Sequence, residues 1–363
     1  MRKIGQLLII VIIIVMMLPG ITAWAEDDLH IYFVDVGQAD AAIITCSDDV
    51  LMIDGGNVAD SQLIFSVLRN TLGIEHINYM IATHPHEDHV GGLAAALNAC
   101  SVDVLLTPVM EYDTKVFRSM MKYAEAQNTV IQIPSAGNSF MIGSAQVEIL
   151  GPTRHYENDN DMSIVCKITY GETTFLFGGD AEWDAEHDLV DSGADLNSDV
   201  LKVNHHGSNT SSTYVFLRAV MPKYAVISVG AGNAYGHPDE ETLGRLRDVG
   251  AKVLRTDELG SIECISDGHN IVFYSTPWKW VYFITAFSLR RQGSLAFLRC
   301  QTSYQIPEYD YAQAVEIRYQ GRHSSACYYL RYLSLSAICD SRFAMSSADF
   351  SCLFVTPNSS PHN

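Results

Sequence analysis

The chain has 363 residues, of which 48% are hydrophobic and 18% are charged, a composition that excludes an intrinsically disordered protein. This length accommodates one large α/β domain or two smaller domains. The net charge is −19, and because residues 277–363 carry 8 basic and 5 acidic side chains, residues 1–276 carry −22. Such an acidic body repels polyanions, which argues against tight binding of long nucleic-acid duplexes.

The N-terminus has the three parts of a bacterial secretory signal peptide. Arg2 and Lys3 precede an uncharged apolar run over residues 7–18, and the sequence AWA at residues 23–25 matches a small-x-small cleavage site. We therefore predict a signal peptide over residues 1–25 and a secreted or cell-surface protein. The apolar run is short for a membrane span, and the alternatives are an uncleaved membrane anchor or a buried helix.

From residue 29 the hydrophobic pattern becomes that of an α/β domain. The segments HIYFVDVG, AAIITC, VLMIDGG and INYMIAT have the apolar runs of strands. SQLIFSVLRNTLG carries Ile64, Leu68 and Leu72 at i, i+4 and i+8 and ends at Gly73, which predicts an amphipathic helix. INYMIAT leads directly into THPHEDHVGG, so this polar cluster is expected at the end of a strand, where α/β folds place functional residues.

The pattern continues through the rest of the body. The strand-like segments are VDVLLTPV, TVIQIP, AQVEILGP, SIVCKITYG, TTFLFGGD, SDVLKVNHHG, YAVISVG, KVLRTD and IECISD. The helical segments TKVFRSMMKYAEAQN, AEWDAEHDLVDSG and DEETLGRLRDVG lie between some of them. Two strand-rich halves with interspersed helices predict two sheets with helices outside, in one domain over residues 29–276.

Residues 277–363 have a different composition. They hold 8 of the 18 tyrosines and a single lysine, Lys279, and they show no clear periodicity. We predict a tail of unknown fold, which is either a small accessory module or degenerate or out-of-frame sequence.

Eight cysteines in an exported chain raise the question of disulfide bonds. Four lie singly in the body and four in the tail: Cys46, Cys100, Cys166, Cys264, Cys300, Cys327, Cys339 and Cys352. None belongs to a CxxC pair, so a thiolate zinc site is not expected. We predict that the cysteines are buried single thiols.

The stretch THPHEDHVGG groups side chains that bind metals. His84 and His86 alternate along the chain and can point to the same side of an extended backbone. Asp88 and His89 begin the next turn and can face them across a small cavity. Imidazole and carboxylate ligands suit Zn²⁺, and also Mn²⁺ or Fe²⁺. Crowding four such groups is unfavourable without a cation, which favours a metal site over a polar loop.

Four further segments follow apolar runs with the same residue types. Asp54 in MIDGG can orient a metal ligand, and Asp180 in LFGGDA can bridge two metals. His205 or its neighbour His206, together with His237, can complete a second metal site. Taken singly each signal is weak, because an aspartate at the end of a strand is often a helix N-cap and GHP is often a turn. Their order along the chain makes the combined signal stronger.

The HxHxDH pattern of residues 84–89 is the signature of the metallo-β-lactamase superfamily, and the flanking sequence resembles the hydrolase domain of the ComEC competence (DNA-uptake) proteins. The resemblance covers roughly residues 29–275 and is carried by HIYFVDVGQADAAII, VLMIDGG, THPHEDHVGGL, NDMSIV, FLFGGDAE, DVLKVNHHGS and YGHPDEETLGRLRDVGAKVLRTDELG. It implies an α/β fold with a four-layer αββα sandwich and a dinuclear metal site at the edge of the two sheets.

The resemblance also implies which residues bind metal. In chain order the implied ligands are His84, His86, Asp88, His89, Asp180, His205 (or its neighbour His206) and His237. The first two would bind one metal, the next two would bind the other, and Asp180 would bridge them. The last histidines would lie near the second metal.

The sequence departs from the superfamily pattern in two places. Many members have a further histidine between HxHxDH and the bridging aspartate, whereas this interval holds only His155, and residues 160–163 resemble the Asn/Ser stretch of the ComEC-like pattern. The shell of the first metal therefore lacks an evident third histidine. The familiar GQGD is GQAD at residues 37–40. This sequence has no multi-span channel segment, so DNA transport is not expected of it.

The predicted ligands indicate hydrolysis by a metal-activated hydroxide. Asp88 can orient the attacking water or accept its proton, and Asp54 can support catalysis by orienting a ligand. Ser208, Asn209 and Ser211 follow HHG and either hydrogen-bond substrate oxygens or form a polar loop without ligand contact.

We predict an exported metal-dependent hydrolase, nuclease-like, that acts on phosphodiesters in short, single-stranded or small substrates. Two Zn²⁺ ions are expected, with Mn²⁺ as the alternative. The competing hypotheses are a hydrolase of small lactones or β-lactams at the same site and an inactive cell-surface binding module. Lys202 is close to the site in sequence, but a strand residue can also face away from it.

Overall fold

The computed structural model describes residues 28–276 and the backbone of five short strands beyond them. Those strands are Leu289–Arg291, Ser294–Ala296, Arg299–Gln305, Ala314–Gly321 and Ser324–Leu330. The predicted signal peptide at residues 1–25 lies outside the described residues. Within the described residues, no helix combines the length and the apolar character that crossing a membrane requires.

The first sheet contains eight strands from the body. They are β1 (Leu29–Phe33), β2 (Ala42–Cys46), β3 (Asp49–Ile53), β4 (His76–Ile81), β5 (Ser101–Leu106), β6 (Val130–Gln132), β14 (Ser261–Ser266) and β15 (Ile271–Thr276). Their order is β15-β14-β1-β2-β3-β4-β5-β6, and strands of the tail add to the β15 side. Pairing is antiparallel from β15 to β3 and parallel from β3 to β6.

The second sheet has seven strands and the same division into two halves. They are β7 (Ser139–Ile142), β8 (Ala145–Gly151), β9 (Val165–Tyr170), β10 (Thr173–Phe177), β11 (Val200–Lys202), β12 (Tyr224–Ile227) and β13 (Lys252–Arg255). The order is β13-β12-β11-β10-β9-β8-β7, with parallel pairing from β10 to β13 and antiparallel pairing from β7 to β10.

The carboxyl ends of these parallel strands carry the predicted site residues. Asp54 follows β3 and the HxHxDH segment follows β4, while Asp180 follows β10 and His205 and His206 follow β11. Because carboxyl ends of parallel strands meet at one edge of a sheet, both sheets contribute to a single site at that edge.

Helices cover the outer face of each sheet. They are α1 (Ser61–Ser66, continued by a π-helical turn over Val67–Leu72), α2 (Glu87–Val90), α3 (Leu93–Ala99), α4 (Lys115–Ala126), α5 (Trp183–Asp191), α6 (Tyr214–Val220), α7 (Glu240–Asp248) and α8 (Thr256–Leu259). Helices α1, α3 and α4 pack on the first sheet, and α5, α6 and α7 pack on the second.

Three hydrophobic cores separate the four layers. The central core joins the facing sides of the two sheets and includes Phe33 and Leu51 from the first sheet and Val147 and Phe175 from the second. The other two cores lie between each sheet and its helices. The predicted αββα sandwich is therefore confirmed. The four cysteines of the body are free and buried, as predicted.

Candidate metal centre

The glycine pair that ends THPHEDHVGG lets this segment pack against the loop after β3. A Cβ atom on Gly92 would lie 2.0 Å from the carbonyl oxygen of Gly55, and one on Gly91 would lie 2.4 Å from the backbone of Asn57. Backbone hydrogen bonds close this contact, since Gly55 N donates to His89 O at 2.7 Å and Gly92 N donates to Gly56 O at 3.1 Å. The two glycines therefore fix the position of α2, which carries two of the candidate ligands.

Two histidines form the first part of the site. His84 Nε2 lies 3.1 Å from His86 Nδ1, so both nitrogens face one small volume. His84 is fully buried, whereas the side chain of His86 is 38% exposed. Asp180 Oδ2 lies 3.8 Å from His84 Nε2. We call these three residues the His84 pole.

Four side chains form a more compact group beside it. One ligand atom from each of Asp88, His89, Asp180 and His206 lies within 4.8 Å of the others. Asp88 Oδ2 is 3.3 Å from His206 Nε2 and 3.8 Å from His89 Nε2. We call these four residues the His206 pole. Two carboxylates and two imidazoles suit a divalent metal such as Zn²⁺ or Mn²⁺.

Asp180 is shared by the two poles. Its Oδ2 atom lies 3.3 Å from His89 Nε2 and 3.8 Å from both His84 Nε2 and His206 Nε2. The carboxylate is 2% exposed, and its Oδ1 atom accepts no hydrogen bond from the described part of the chain. His89 Nε2 is buried and equally without a hydrogen-bond partner there. A divalent cation bound between these residues would satisfy such buried polar atoms.

Buried carboxylates stand behind both histidines of the His206 pole. Asp54 Oδ2 is 2.9 Å from His89 Nδ1, and Asp54 also accepts hydrogen bonds from the backbone N–H and hydroxyl of Thr83. On the other side, His206 Nδ1 donates to Ser228 O at 2.9 Å, and Asp40 Oδ1 lies 3.2 Å away without accepting a hydrogen bond from the described residues. A carboxylate on the far nitrogen fixes the tautomer and ring orientation of a metal-binding histidine. Asp54 thus has the orienting geometry expected of it.

Lys202 faces the interior. Its Nζ atom is 2.7 Å from Asp40 Oδ2, and both side chains are nearly inaccessible to solvent. Burial works against the charged form of Asp40, but Lys202 and His206 hold the pKa of its carboxyl below the usual value. The sequence identified Asp40 only as part of the GQAD segment, and no local signal marked its contact with His206.

The carboxylates of the cluster favour protonation of the histidines beside them. Burial opposes protonation of His206, but Asp180 and Asp40 raise its pKa to about 10. Burial also opposes protonation of His89, but the charges of Asp180 and Asp54 raise its pKa well above the usual value. Burial and the charge of His89 instead hold the pKa of His84 well below its ordinary value. A metal ion at the His206 pole would replace these two protons as the source of positive charge.

A strained turn presents His205 and His206. Both residues are left-handed, with φ of 48° and 53°, and Gly207 follows with φ of 82°. Left-handed non-glycine residues persist only where surrounding contacts impose them. Glu186 supplies such contacts, because its buried carboxylate accepts hydrogen bonds from Ser212 N, Thr213 N and Asn204 Nδ2.

The turn gives the two histidines different environments. His206 is buried within the compact group, whereas His205 lies at its edge with 22% of its side chain exposed. His205 Nε2 is 3.7 Å from Asp180 Oδ2, and its Nδ1 atom is 3.0 Å from Glu182 Oε1. Of the two neighbours, His206 has the ligand geometry and His205 the more accessible position.

His237 lies at the rim. Its ring centroid is 5.7 Å from that of His205, and its Nδ1 atom faces Gln38 Nε2 at 3.4 Å. Its Nε2 atom lies 3.9 Å from Asp239 Oδ2. The structure does not bring His237 into the compact group of four ligands, although the sequence placed it near the second metal.

Ser163, which ends the Asn/Ser stretch of residues 160–163, lies behind His84. Ser163 is fully buried, its Oγ atom lies 3.4 Å from His84 Nδ1, and it accepts a hydrogen bond from Asp180 N at 3.0 Å. His155 is exposed. Asp159 Oδ2 lies 3.8 Å from the outer nitrogen of His86. The His84 pole therefore has fewer ligands than the His206 pole.

The predicted substrate-binding residues are divided by burial. Ser211 is fully buried and its hydroxyl donates to Asn204 O at 2.9 Å, so it braces the histidine turn and is not turned towards a substrate. Ser208 is also buried, and its hydroxyl contacts that of Thr210. Asn209 is exposed, with its backbone N–H bonded to Asp239. Only Asn209 of the three has a side chain accessible from outside.

Comparison with known proteins supports the resemblance seen in the sequence. The family described as the metallo-beta-lactamase superfamily matches residues 34–231. Competence protein ComA of Neisseria gonorrhoeae is 32% identical over 240 residues, covering 66% of this chain and 32% of that protein. ComE operon protein 3 of Bacillus subtilis is 27% identical over 286 residues, covering 72% of this chain and 36% of that protein.

The chain thus spans about a third of the length of the curated relatives that it matches. Among solved structures, the metallo-beta-lactamase fold protein YhfI from Bacillus subtilis is 12% identical with a TM-score of 0.46, covering 66% of this chain and 100% of that one. The predicted resemblance to competence proteins is confirmed.

Proposed function

We propose, from the premise that this chain belongs to the metallo-β-lactamase superfamily, that it is an exported metal-dependent hydrolase of phosphodiesters. The observation that carries this proposal is the compact group of Asp88, His89, Asp180 and His206, in which His89 Nε2 and Asp180 Oδ1 are buried without hydrogen-bond partners among the described residues. The similarity to competence proteins supports a nucleic-acid or nucleotide substrate. The charge of −19 favours short or single-stranded substrates over long duplexes.

The residues of the site would divide the work of hydrolysis. The residues of the His206 pole would hold a divalent metal, which would supply Lewis-acid activation of water and of a phosphoryl oxygen. Asp88, whose side chain is 33% exposed, can orient the attacking water and accept its proton. Asp54 keeps the ring of His89 directed at the cluster, and Ser228 O, with the charge of Asp40 beside it, does the same for His206.

His205 can assist the leaving group. Burial lowers its pKa, but the hydrogen bond to Glu182 and the charge of Asp180 raise it above the ordinary value. With Nδ1 donating to Glu182, the protonated ring presents an Nε2–H group at the accessible edge of the cluster. Such a group can donate a proton to a departing oxygen.

A substrate comparison tests the proposal. Protein loaded with Zn²⁺ or Mn²⁺ should cleave bis(p-nitrophenyl) phosphate and single-stranded DNA, and Asp180→Asn should abolish the cleavage. The matched control is Asp195→Asn, because Asp195 pairs with Lys167 on the second sheet and is 80% exposed. Turnover of lactones or β-lactams without phosphodiester turnover would contradict the proposal and favour the alternative hydrolase. Unchanged metal content and activity in a folded His84→Ala/His86→Ala variant would favour a binding module.

Export is the second element of the proposal. It rests on the basic start, apolar run and AWA sequence of residues 1–25, which lie outside the described residues. Expression of the full chain in a bacterium should yield a mature protein that begins near Glu26, as measured by N-terminal sequencing. Recovery of the intact N-terminus in the membrane fraction would instead indicate an uncleaved anchor.

A further inference from the structure

An aromatic side chain stands over the rim of the site. Tyr235 is 74% exposed, the most exposed of the large hydrophobic side chains in the described body. Its ring lies almost parallel to that of His237, with an interplanar angle of 27° and a centroid separation of 5.7 Å. A single exposed aromatic residue is ordinary. What distinguishes this one is its support and its position.

The loop that carries Tyr235 is braced by one amide. Asn233 Nδ2 donates to Gly230 O at 2.9 Å and to His237 O at 2.6 Å. Asn233 Oδ1 accepts hydrogen bonds from the backbone N–H groups of Tyr235 and His237, both at 3.1 Å. Gln38 joins the loop to the first sheet by accepting from Gly230 N at 3.2 Å. These hydrogen bonds fix the backbone that carries the ring, which reduces the entropy cost of binding a ligand against it.

A continuous row of rings connects Tyr235 with the cluster. The His237 ring meets that of His205 edge to face, with centroids 5.7 Å apart and an interplanar angle of 76°. His205 Nε2 in turn lies 3.7 Å from Asp180 Oδ2. A group stacked on Tyr235 would thus sit beside a phosphodiester held at the cluster, on its accessible side.

The charges around the rim indicate what kind of contact must hold the substrate. The carboxylates of Asp159, Glu182 and Asp239 lie within 3.9 Å of ring nitrogens of His86, His205 and His237, respectively. Carboxylates repel a phosphate chain, so affinity has to come from the metal and from uncharged contacts. Stacking of bases on aromatic rings is such a contact, and it tolerates any base sequence.

We propose that Tyr235, backed by His237, is a stacking platform for the nucleobase next to the scissile phosphodiester. This inference rests on the proposed function and narrows it to nucleotide-containing substrates. In this proposal the preference for nucleotide substrates comes from a ring outside the metal-binding cluster. A lactone or β-lactam, which is small and lacks an extended aromatic base, would make no use of it.

The test measures binding and cleavage separately. Fluorescence anisotropy measures the affinity of the metal-loaded full chain for a short oligothymidylate. This affinity should fall about tenfold or more in Tyr235→Ala. Tyr235→Phe keeps the ring and should retain the affinity. The matched control is Tyr123→Ala, because Tyr123 is also exposed, at 42%, but lies on α4. An equal effect of the Tyr235→Ala and Tyr123→Ala variants, or no binding by the unmodified protein, would overturn the proposal.

Cleavage supplies the second readout. The dinucleotide TpT and analogues with one abasic position are compared by chromatography of the products. Tyr235→Ala should raise KM for TpT about tenfold with little change in kcat, and should change KM little for the analogue that lacks the base at the platform. Equal losses on TpT and on both abasic analogues would refute the platform. Ring-dependent binding without any cleavage would refute the proposed hydrolase while leaving the platform supported.

Discussion

The buried pair of Lys202 and Asp40 offers the sharpest test of how the His206 pole is supported. Its atoms are 2.7 Å apart and its side chains are 5% and 7% exposed. Lys202→Met removes the ammonium group, keeps a similar volume and leaves the Asp40 carboxylate buried. Breaking a buried pair in this way costs about 3–5 kcal/mol. Because His206 Nδ1 still lies 3.2 Å from Asp40 Oδ1, we expect the free energy of unfolding to fall by about 3 kcal/mol.

Denaturation in urea measures this loss as a change in the free energy of unfolding of the metal-free protein. The double variant Asp40→Asn/Lys202→Met should regain most of the stability, because it buries no uncompensated charge. Two results would refute the reasoning: a Lys202→Met variant within about 0.5 kcal/mol of the unmodified protein, or a double variant no more stable than the single one.

Metal affinity separates a supporting role from general stability. In Asp40→Asn the ring of His206 keeps its hydrogen bond to Ser228 O but loses the negative charge 3.2 Å from its Nδ1 atom, and the affinity for Mn²⁺ should fall about tenfold by calorimetry. Lys167→Met is the control for loss of a buried ion pair away from the site. Lys167, like Lys202, is a buried lysine of the second sheet, but its partner Asp195 lies outside the site. This control should lower stability and leave Mn²⁺ affinity unchanged. Equal affinities in both variants would contradict the predicted role of Asp40.

Three further predictions concern ligands, protons and packing. His206→Ala should lose bound metal and His205→Ala should retain it, as measured by elemental analysis; the reverse result would assign the ligand to His205. The metal-free pKa of His206 is raised to about 10 and that of His89 is raised as well, so protons compete with metal below those values. Metal affinity should therefore rise with pH from 6 to 9 with proton release, and a pH-independent affinity by calorimetry would contradict it. Gly92→Ala should lower stability by about 1–3 kcal/mol in thermal unfolding, because its Cβ would lie 2.0 Å from Gly55 O. The control Gly244→Ala, on α7 with its Cβ only near the end of Arg247, should be neutral or slightly stabilising, and equal losses in the two variants would refute the packing argument.

The sequence predicted most of the fold because its hydrophobic periods are strong and local. The strands around HIYFV and AIITC, and the long helix over Lys115–Ala126, appear where their patterns placed them. Helix α6 was missed, since TYVFLRAV is a short apolar run with no evident period. Its start is fixed by the Thr213 side chain, which accepts from Phe216 N, and by the distant Glu186. Such tertiary capping leaves little trace in the local sequence.

The site was predictable in composition and less so in geometry. The spacing of HxHxDH identified the candidate ligands of α2 and of the turn before it, because residues so close in sequence must also lie close together in the structure. No spacing argument could choose between His205 and His206, because adjacent residues can exchange roles if the backbone is left-handed. The contacts of Glu186 with Asn204, Ser212 and Thr213 hold this turn, and they join segments far apart in the chain.

The two poles differ in support as well as in ligand number. His89 and His206 each have a carboxylate, Asp54 or Asp40, against the far nitrogen. Within the described residues, the far nitrogen of His84 faces the hydroxyls of Thr83 and Ser163, at 3.2 and 3.4 Å. Carboxylate partners make imidazole a stronger ligand than hydroxyl partners do. Among the described residues the His84 pole thus has both the smaller ligand set and the weaker support for His84, so the His206 pole should bind its ion more tightly.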